Sequence, residues 1–349
     1  MWRRWKVPSS TESGVDEILL KLLEAYSPTG QEDNARDVIV EICEDLGLRV
    51  EIDGVGNVLA SKGGGRVWLV SHYDTVPGRL PVRRSGNIIS GRGAVDAKGP
   101  LAAMLMAASL SKSPVTVAAL VGEEGDSRGA RHLLTKELPP FVVIGEPSNT
   151  TGVIIAYRGG AHLTLRCKAE GGHSSSPGAS AVDLLIESIL RMKKVAPGGK
   201  YADPSVAATM IRGGEAPNVL PKRAEAVLDL RVPPGIDPSA VIDEMKSNLP
   251  EGCEIAVGWI VPPVAVRPSE PVPRALTRSI ISSGRRPKLL RKYGSSDMNL
   301  LHDRVASIAA YGPGDGKLAH TDTEFVDVED LEFAVKVYVR TVEYLSNLS

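Results

Sequence analysis

Apolar residues recur along this chain at two spacings. In "VDEILLKLLEAYS" and "QEDNARDVIVEICEDLG" they return every three or four positions. That period predicts amphipathic helices, the first capped by Ser13 and the second ended by Gly47. "LRVEI" and "NVLAS" read as short strands. The runs "VWLV" (67–70), "VTVAALV" (115–121) and "FVVI" (141–144) are apolar almost without interruption, as strands buried on both faces are. "GPLAAMLMAASLSK" (99–112) and "GARHLL" read as the helices between them. Alternating strands and helices of this kind imply a mostly parallel sheet covered on both sides.

From about Arg158 the pattern changes. "AHLTLRCKAE" alternates, "SAVDLLIESILRMKKV" is helical, "SVAATMI" and "EAVLDLRV" are strands, "SAVIDEMKSNL" is helical and "CEIAVGWI" is a final strand. A β-α-β-β-α-β order predicts a ferredoxin-like α+β module. The chain then returns, after a proline-rich stretch, to helix and short strands. The fold expected is α/β, with a small domain (159–265) inserted into a larger one built from 1–158 and 266–349.

Length and composition agree with that division: 349 residues exceed one ordinary core, and 42% hydrophobic with 24% charged residues is usual for a globular chain. A net charge of −1 argues against a nucleic-acid partner. No stretch reaches the roughly 18 apolar residues of a membrane span. The start "MWRRWKV" carries positive charge but is followed by a polar segment, so a cytoplasmic protein is expected. Cys43, Cys167 and Cys253 stand singly with no metal-thiolate spacing. They are expected to be unpaired thiols in a reducing compartment.

Metal-competent side chains stand where apolar runs end: His72 and Asp74 in "VWLVSHYDTVPG", Glu123 and Glu124 in "LVGEEG", Glu146 in "VVIGEPSN". Asp96 in "GRGAVDAKG" precedes a helix, and His320 follows much later in "GKLAHTDTEF". The carboxyl edge of a parallel sheet is where such folds gather ligands. Taken singly, each has a plain reading as a loop or core residue. Together, two imidazoles and several carboxylates without a thiolate suit zinc, with cobalt or manganese as substitutes.

"SHYDTVPG", "GRGAVDAKG", "GEEGDSRGA", "GEPSN", "GGHSSSPG", "EAPNVLP" and "AHTDTEF" follow one another as in the M20 metallopeptidases, which the chain resembles over roughly 15–345. The resemblance implies a zinc-peptidase-like catalytic domain with an inserted lid and dimerisation domain, and two zinc ions bridged by Asp96. One ion adds His72 and Glu146, the other Glu124 and His320. Asp74 would accept the second ring N–H of His72, and Glu123 would be the general base. His173 would reach the active site from the partner subunit of a homodimer, and Asn218 and Arg231 would hold a substrate carboxylate.

"KYGSSDMNLL" (292–301) resembles the substrate loop of those M20 hydrolases that free lysine or ornithine from an acidic amino-group carrier protein. That likeness implies substrate contacts for Ser295 and Asp297, although Asp297 reads equally well as the start of a helix. Locally basic "GRRPKLLRKYG" and Arg79, Arg83, Arg84 and Arg92 would face the carrier. A small-molecule deacylase, acting on acetylornithine or succinyl-diaminopimelate, is the alternative. A non-catalytic binding module fits less well, since it has no use for Glu123.

Overall fold

The computed structural model describes residues 14–348, so the expected cap Ser13 and the basic start of the chain lie outside the described residues. The chain divides into two compact units. One comprises the residues up to Ile155, Val266–Leu290 and those from Leu301 on; the other comprises Ala156–Ala265 and Arg291–Leu300. The sequence reading left 291–300 with the larger domain.

In the first unit, helix Val15–Glu24 buries Val15, Ile18, Leu19, Leu22 and Leu23, one apolar stripe at helical spacing. Helix Asp33–Asp45 closes at Gly47, whose φ of +69° only glycine adopts without cost, as the Leu48 N–H returns 2.9 Å to the Cys43 carbonyl. Helix Lys98–Leu110 is buried along nearly its whole length, as a helix apolar on every side must be.

Four strands form the parallel centre of the sheet, in spatial order Val115–Leu120, Val67–His72, Phe141–Gly145 and Ser307–Tyr311. Antiparallel strands flank them: Val58–Lys62 beside the first and Gly152–Tyr157 beside the last. From Val67–His72 the chain crosses to a strand on one side and next to a strand on the other. That reversal opens a crevice beyond the carboxyl ends of three adjacent strands.

The second unit is an antiparallel four-stranded sheet, ordered Ser205–Gly213, Arg223–Val232, Gly159–Lys168, Cys253–Val261. With helices Ala181–Val195 and Pro238–Ser247 it forms the ferredoxin-like module. Leu163, Leu165, Leu228 and Leu230 of the strands share a core with Leu185, Met192 and Met245 of the helices. Each helix starts at a side-chain cap, Ser180 accepting from the Asp183 N–H and Asp237 from the Ser239 N–H. The chain enters this unit through Ala156–Tyr157 and leaves it through Val264–Ala265, which are antiparallel partners.

One expectation fails here. Cys167 and Cys253 form a disulfide, leaving Cys43 as the buried free thiol. The two face each other directly across neighbouring strands, a register that their separation of 86 residues conceals.

Candidate active site

His72 ends the strand Val67–His72, Glu123 and Glu124 follow Val115–Leu120, and Glu146 follows Phe141–Gly145. Because neighbouring strands lie only about 4.8 Å apart, side chains at these three ends converge. Asp96 joins them from the loop before helix Lys98–Leu110, and His320, at φ +63°, from the loop before the strand Phe325–Asp327.

Two groups of ligand atoms result, each with all members within 4.8 Å of one another: His72, Asp96 and Glu146, and Asp96, Glu124 and His320. Asp96 belongs to both. Its Oδ1 lies 3.2 Å from His72 Nε2 and its Oδ2 3.2 Å from His320 Nε2. Glu124 Oε1 is 2.8 Å from His320 Nε2, and Glu146 Oε1 is 3.9 Å from His72 Nε2. Glu123 adds a carboxylate oxygen 4.0 Å from His72 Nε2 without belonging to either group.

The adjacent glutamates sit on a turn built for them. Gly122 has φ +73°, and Ser127 N–H closes on its carbonyl at 2.7 Å. At Gly129 a Cβ would stand 2.6 Å from the Val121 carbonyl oxygen, so no larger residue fits. Asp74 anchors the turn from below: its two carboxylate oxygens accept the N–H groups of Glu123 (3.0 Å) and Glu124 (3.1 Å), and one also accepts Thr29 Oγ1–H at 2.7 Å.

His72 Nδ1 lies 2.9 Å from the backbone carbonyl of Asp74 and 3.6 Å from its carboxylate, so Asp74 faces this nitrogen with both. The Asp74 carboxylate acts on His72 while its other hydrogen bonds hold the glutamate turn. His72 Nε2 is the ring nitrogen that faces Asp96 and Glu146.

Electrostatics follow from this crowding. Burial opposes the His72 imidazolium, yet Asp74, Asp96 and Glu123 outweigh it and hold its pKa well above 6.5. Hydrogen bonds to Asp96 and Glu124 push His320 up to about 10. Burial works against the Asp96 carboxylate, but the two imidazoles prevail and lower its pKa. Without a cation in the cluster, its carboxylates favour protons on both imidazoles. Divalent ions would replace those protons. Two nitrogen and three carboxylate donors, converging within one cluster and lacking sulfur, fit them well.

Two residues that sequence reasoning missed stand behind the cluster. Thr29 supports Asp74, and Glu324, 1% exposed, accepts from the backbone beside Asp96. Glu324 lies in the same "AHTDTEF" motif as His320, and that proximity was the available signal. Two arginines read as surface charges have partners within the fold. Arg92 is buried against Glu324, and Arg285 pairs with Asp330 at 2.7 Å and stacks on Phe333.

The second unit gathers the other expected site residues into two groups. His173 and Val219 pair in a small ribbon, and Ser174 N–H reaches the Asn218 carbonyl at 3.0 Å. His173 Nδ1 accepts the Ser175 N–H (3.2 Å), which places the proton of the neutral ring on the exposed Nε2 as a donor. Elsewhere in the unit, Arg231 is braced by Asp229 (3.0 Å) and donates to Ser295 Oγ at 3.1 Å. Asp297 begins a short helix and is 3% exposed. The cap of that turn is Ser296, whose Oγ accepts the Met298 N–H.

Residues 68–344 match the profile of peptidase family M20/M25/M40. The chain is 37% identical over 333 residues to the LysW-lysine/LysW-ornithine hydrolase of Saccharolobus islandicus, covering 94% of this chain and 95% of that one. To the protein of the same name in Sulfurisphaera tokodaii it is 35% identical over 335 residues, covering 95% of each. Among solved structures, the M20 family metallo-carboxypeptidase Sso-CP2 from Sulfolobus solfataricus superposes with a TM-score of 0.81 at 17% identity, covering 97% of this chain and 100% of that one. That likeness shows the shared fold. With the profile covering the shared carboxylate Asp96 and the ligands around it, the chain belongs to peptidase family M20/M25/M40.

Proposed function

We propose that the protein is a two-metal amidohydrolase that releases lysine or ornithine from the C-terminal glutamate γ-carboxyl of an amino-group carrier protein. The observation that carries the hydrolytic reading is Asp96 shared between two ligand groups with the Glu123 carboxylate beside them. The substrate rests on the relatives named LysW-lysine/LysW-ornithine hydrolase, at 35–37% identity over 94–95% of this chain.

Asp96 would be common to both ions, with His72 and Glu146 holding one and Glu124 and His320 the other. Zinc suits these donors, and cobalt is its natural substitute. When bound, such a pair supplies a Lewis acid for the scissile carbonyl and an attacking water that ionises near neutral pH. Glu123 accepts the proton of that water and delivers it to the leaving α-amine. Asp74 keeps Glu123 on its turn throughout. Arg231 holds the carboxylate of the departing amino acid with its fork, Asn218 assists, Ser295 orients that fork, and Asp297 receives the side-chain ammonium. His173, supplied by a second copy of the chain, donates its Nε2 proton to the developing oxyanion.

A homodimer is supported by the second unit's surface. Ile186 and Leu190 on helix Ala181–Val195, and Met210 and Ile211 on the edge strand Ser205–Gly213, are all about half exposed or more. An apolar edge strand calls for a partner. A cytoplasmic location is proposed as well; no helix among the described residues is long and apolar enough to cross a membrane. The deciding experiment offers the zinc- or cobalt-loaded protein carrier–lysine, carrier–ornithine, acetylornithine and succinyl-diaminopimelate. Release of lysine or ornithine from the carrier is expected. Turnover of the small amides with both carrier conjugates intact would replace this reading with the small-molecule deacylase.

A further inference from the structure

Glu324 has four donors on one buried carboxylate. Oε2 accepts the Gly93 N–H (3.0 Å) and Arg92 Nη1 (3.1 Å), while Oε1 accepts the N–H groups of Val95 (3.0 Å) and Asp96 (3.2 Å). Its own backbone carbonyl takes the Gly91 N–H at 3.2 Å. Arg92 in turn donates to the Thr321 carbonyl at 2.8 Å and to the Gly78 carbonyl at 3.0 Å. The loop bearing Asp96 and the loop bearing His320 are therefore tied together through Glu324 and Arg92. A charged acceptor that is 1% exposed keeps its place only while its donors stay in register with it.

We infer that Glu324 is a positioning residue for the metal centre: by holding the backbone of Asp96 and, through Arg92, that of Thr321 beside His320, it fixes the spacing of Asp96 and His320. The inference rests on the two-metal reading above. It assigns Glu324 no contact with substrate or with the reacting atoms. The ion held by Asp96, Glu124 and His320 takes two of its three ligands from the two tied loops. The ion held by His72, Asp96 and Glu146 takes one, so the first is the more exposed to loss of the tie.

The test is stepwise zinc titration of the chelator-stripped full-length chain by calorimetry, comparing wild type with Glu324→Gln, Arg92→Lys and His320→Ala. His320→Ala identifies which step belongs to the ion that Glu124 and His320 hold. Glu324→Gln keeps the size of the side chain but turns an NH₂ toward backbone N–H groups. It is expected to weaken that step by about 10–100-fold, as loss of an outer-shell partner does, and the other step less. Arg92→Lys, which keeps Glu324 and the positive charge but cannot reach both loops, is expected to weaken the same step by a smaller factor. At saturating zinc, Glu324→Gln should lower kcat with KM within about twofold, because no substrate contact is lost. Should Glu324→Gln fail to fold, the milder Arg92→Lys carries the comparison. A wild type that takes two ions and a folded variant whose two steps both match it overturn the inference alone. Equal weakening of both steps overturns it too, by showing a general structural role. A wild type that takes no divalent ion overturns the two-metal reading, and the inference with it.

Discussion

Two carboxylates placed side by side at Glu123 and Glu124 have separate work because Asp74 fixes the peptide between them, turning Glu124 to His320 and leaving Glu123 beside His72. Glu123→Gln should therefore keep both ions, measured by metal analysis, and lose at least about 10²-fold in turnover, since an amide cannot take the proton. Near-normal rates at full metal content would remove Glu123 from the role of base. His320 gives a pH prediction for the metal-free chain. Its pKa rises from 6.5 unfolded to about 10 folded, so the stability it contributes is complete below 6.5 and is lost as pH climbs toward 10. The melting-temperature gap between chelator-treated wild type and His320→Gln should shrink across that window. A constant gap would show that the imidazole carries no such proton.

At the scale of elements, the disulfide joins the neighbouring strands Gly159–Lys168 and Cys253–Val261. Unfolded without reductant, the chain should show one reactive thiol, Cys43, and with reductant three; folded it should show almost none, since burial pushes Cys43 up to about 12. Closing a loop this long is worth about 2–4 kcal/mol, so Cys253→Ser should lower the denaturant midpoint accordingly. Three thiols without reductant would discard the bond. The strands and helices were legible because apolar spacing reports which faces are buried, and the candidate ligands His72, Glu124 and Glu146 were visible because apolar runs stop beside them. What stayed hidden depends on partners far along the chain. Glu324 answers backbone N–H groups more than 220 residues earlier, Cys167 faces Cys253 only through strand register, and Arg92 looks like any surface arginine until Glu324 is placed against it.

For the whole molecule, the apolar surface of Ile186, Leu190, Met210 and Ile211 should hold two copies together. Leu190→Glu with Met210→Glu should halve the mass seen by light scattering, and a wild type that is monomeric at assay concentration would remove the dimer from the reading. If His173 works across the dimer, mixing inactive His173→Ala with inactive Glu123→Gln subunits should restore part of the activity. For the proposed carrier docking, Arg286 and Lys288 are two of the exposed charges of the basic run, Arg285 being engaged by Asp330. Reversing both to glutamate should raise KM for carrier conjugates, most at low salt, because exposed charges are screened within about 8–10 Å. A short γ-glutamyl-lysine substrate should be unaffected, and equal loss on both substrates would point instead to damage in the adjoining loop. The paired stem of Ala156–Tyr157 and Val264–Ala265 carries a consequence of another kind. Chain ends that part across one antiparallel rung stand only about 5 Å from each other, so a two-residue turn would rejoin them. The module between them is thus a cassette. Cut at 158–263, the remaining chain would still encode His72, Asp96, Glu124, Glu146 and His320 in unbroken order, while Arg291–Leu300, which clusters with the module, would lose neighbours. Such a host should still take up metal while hydrolysing no carrier conjugate, having kept the ligands of the reaction and lost its hold on the substrate.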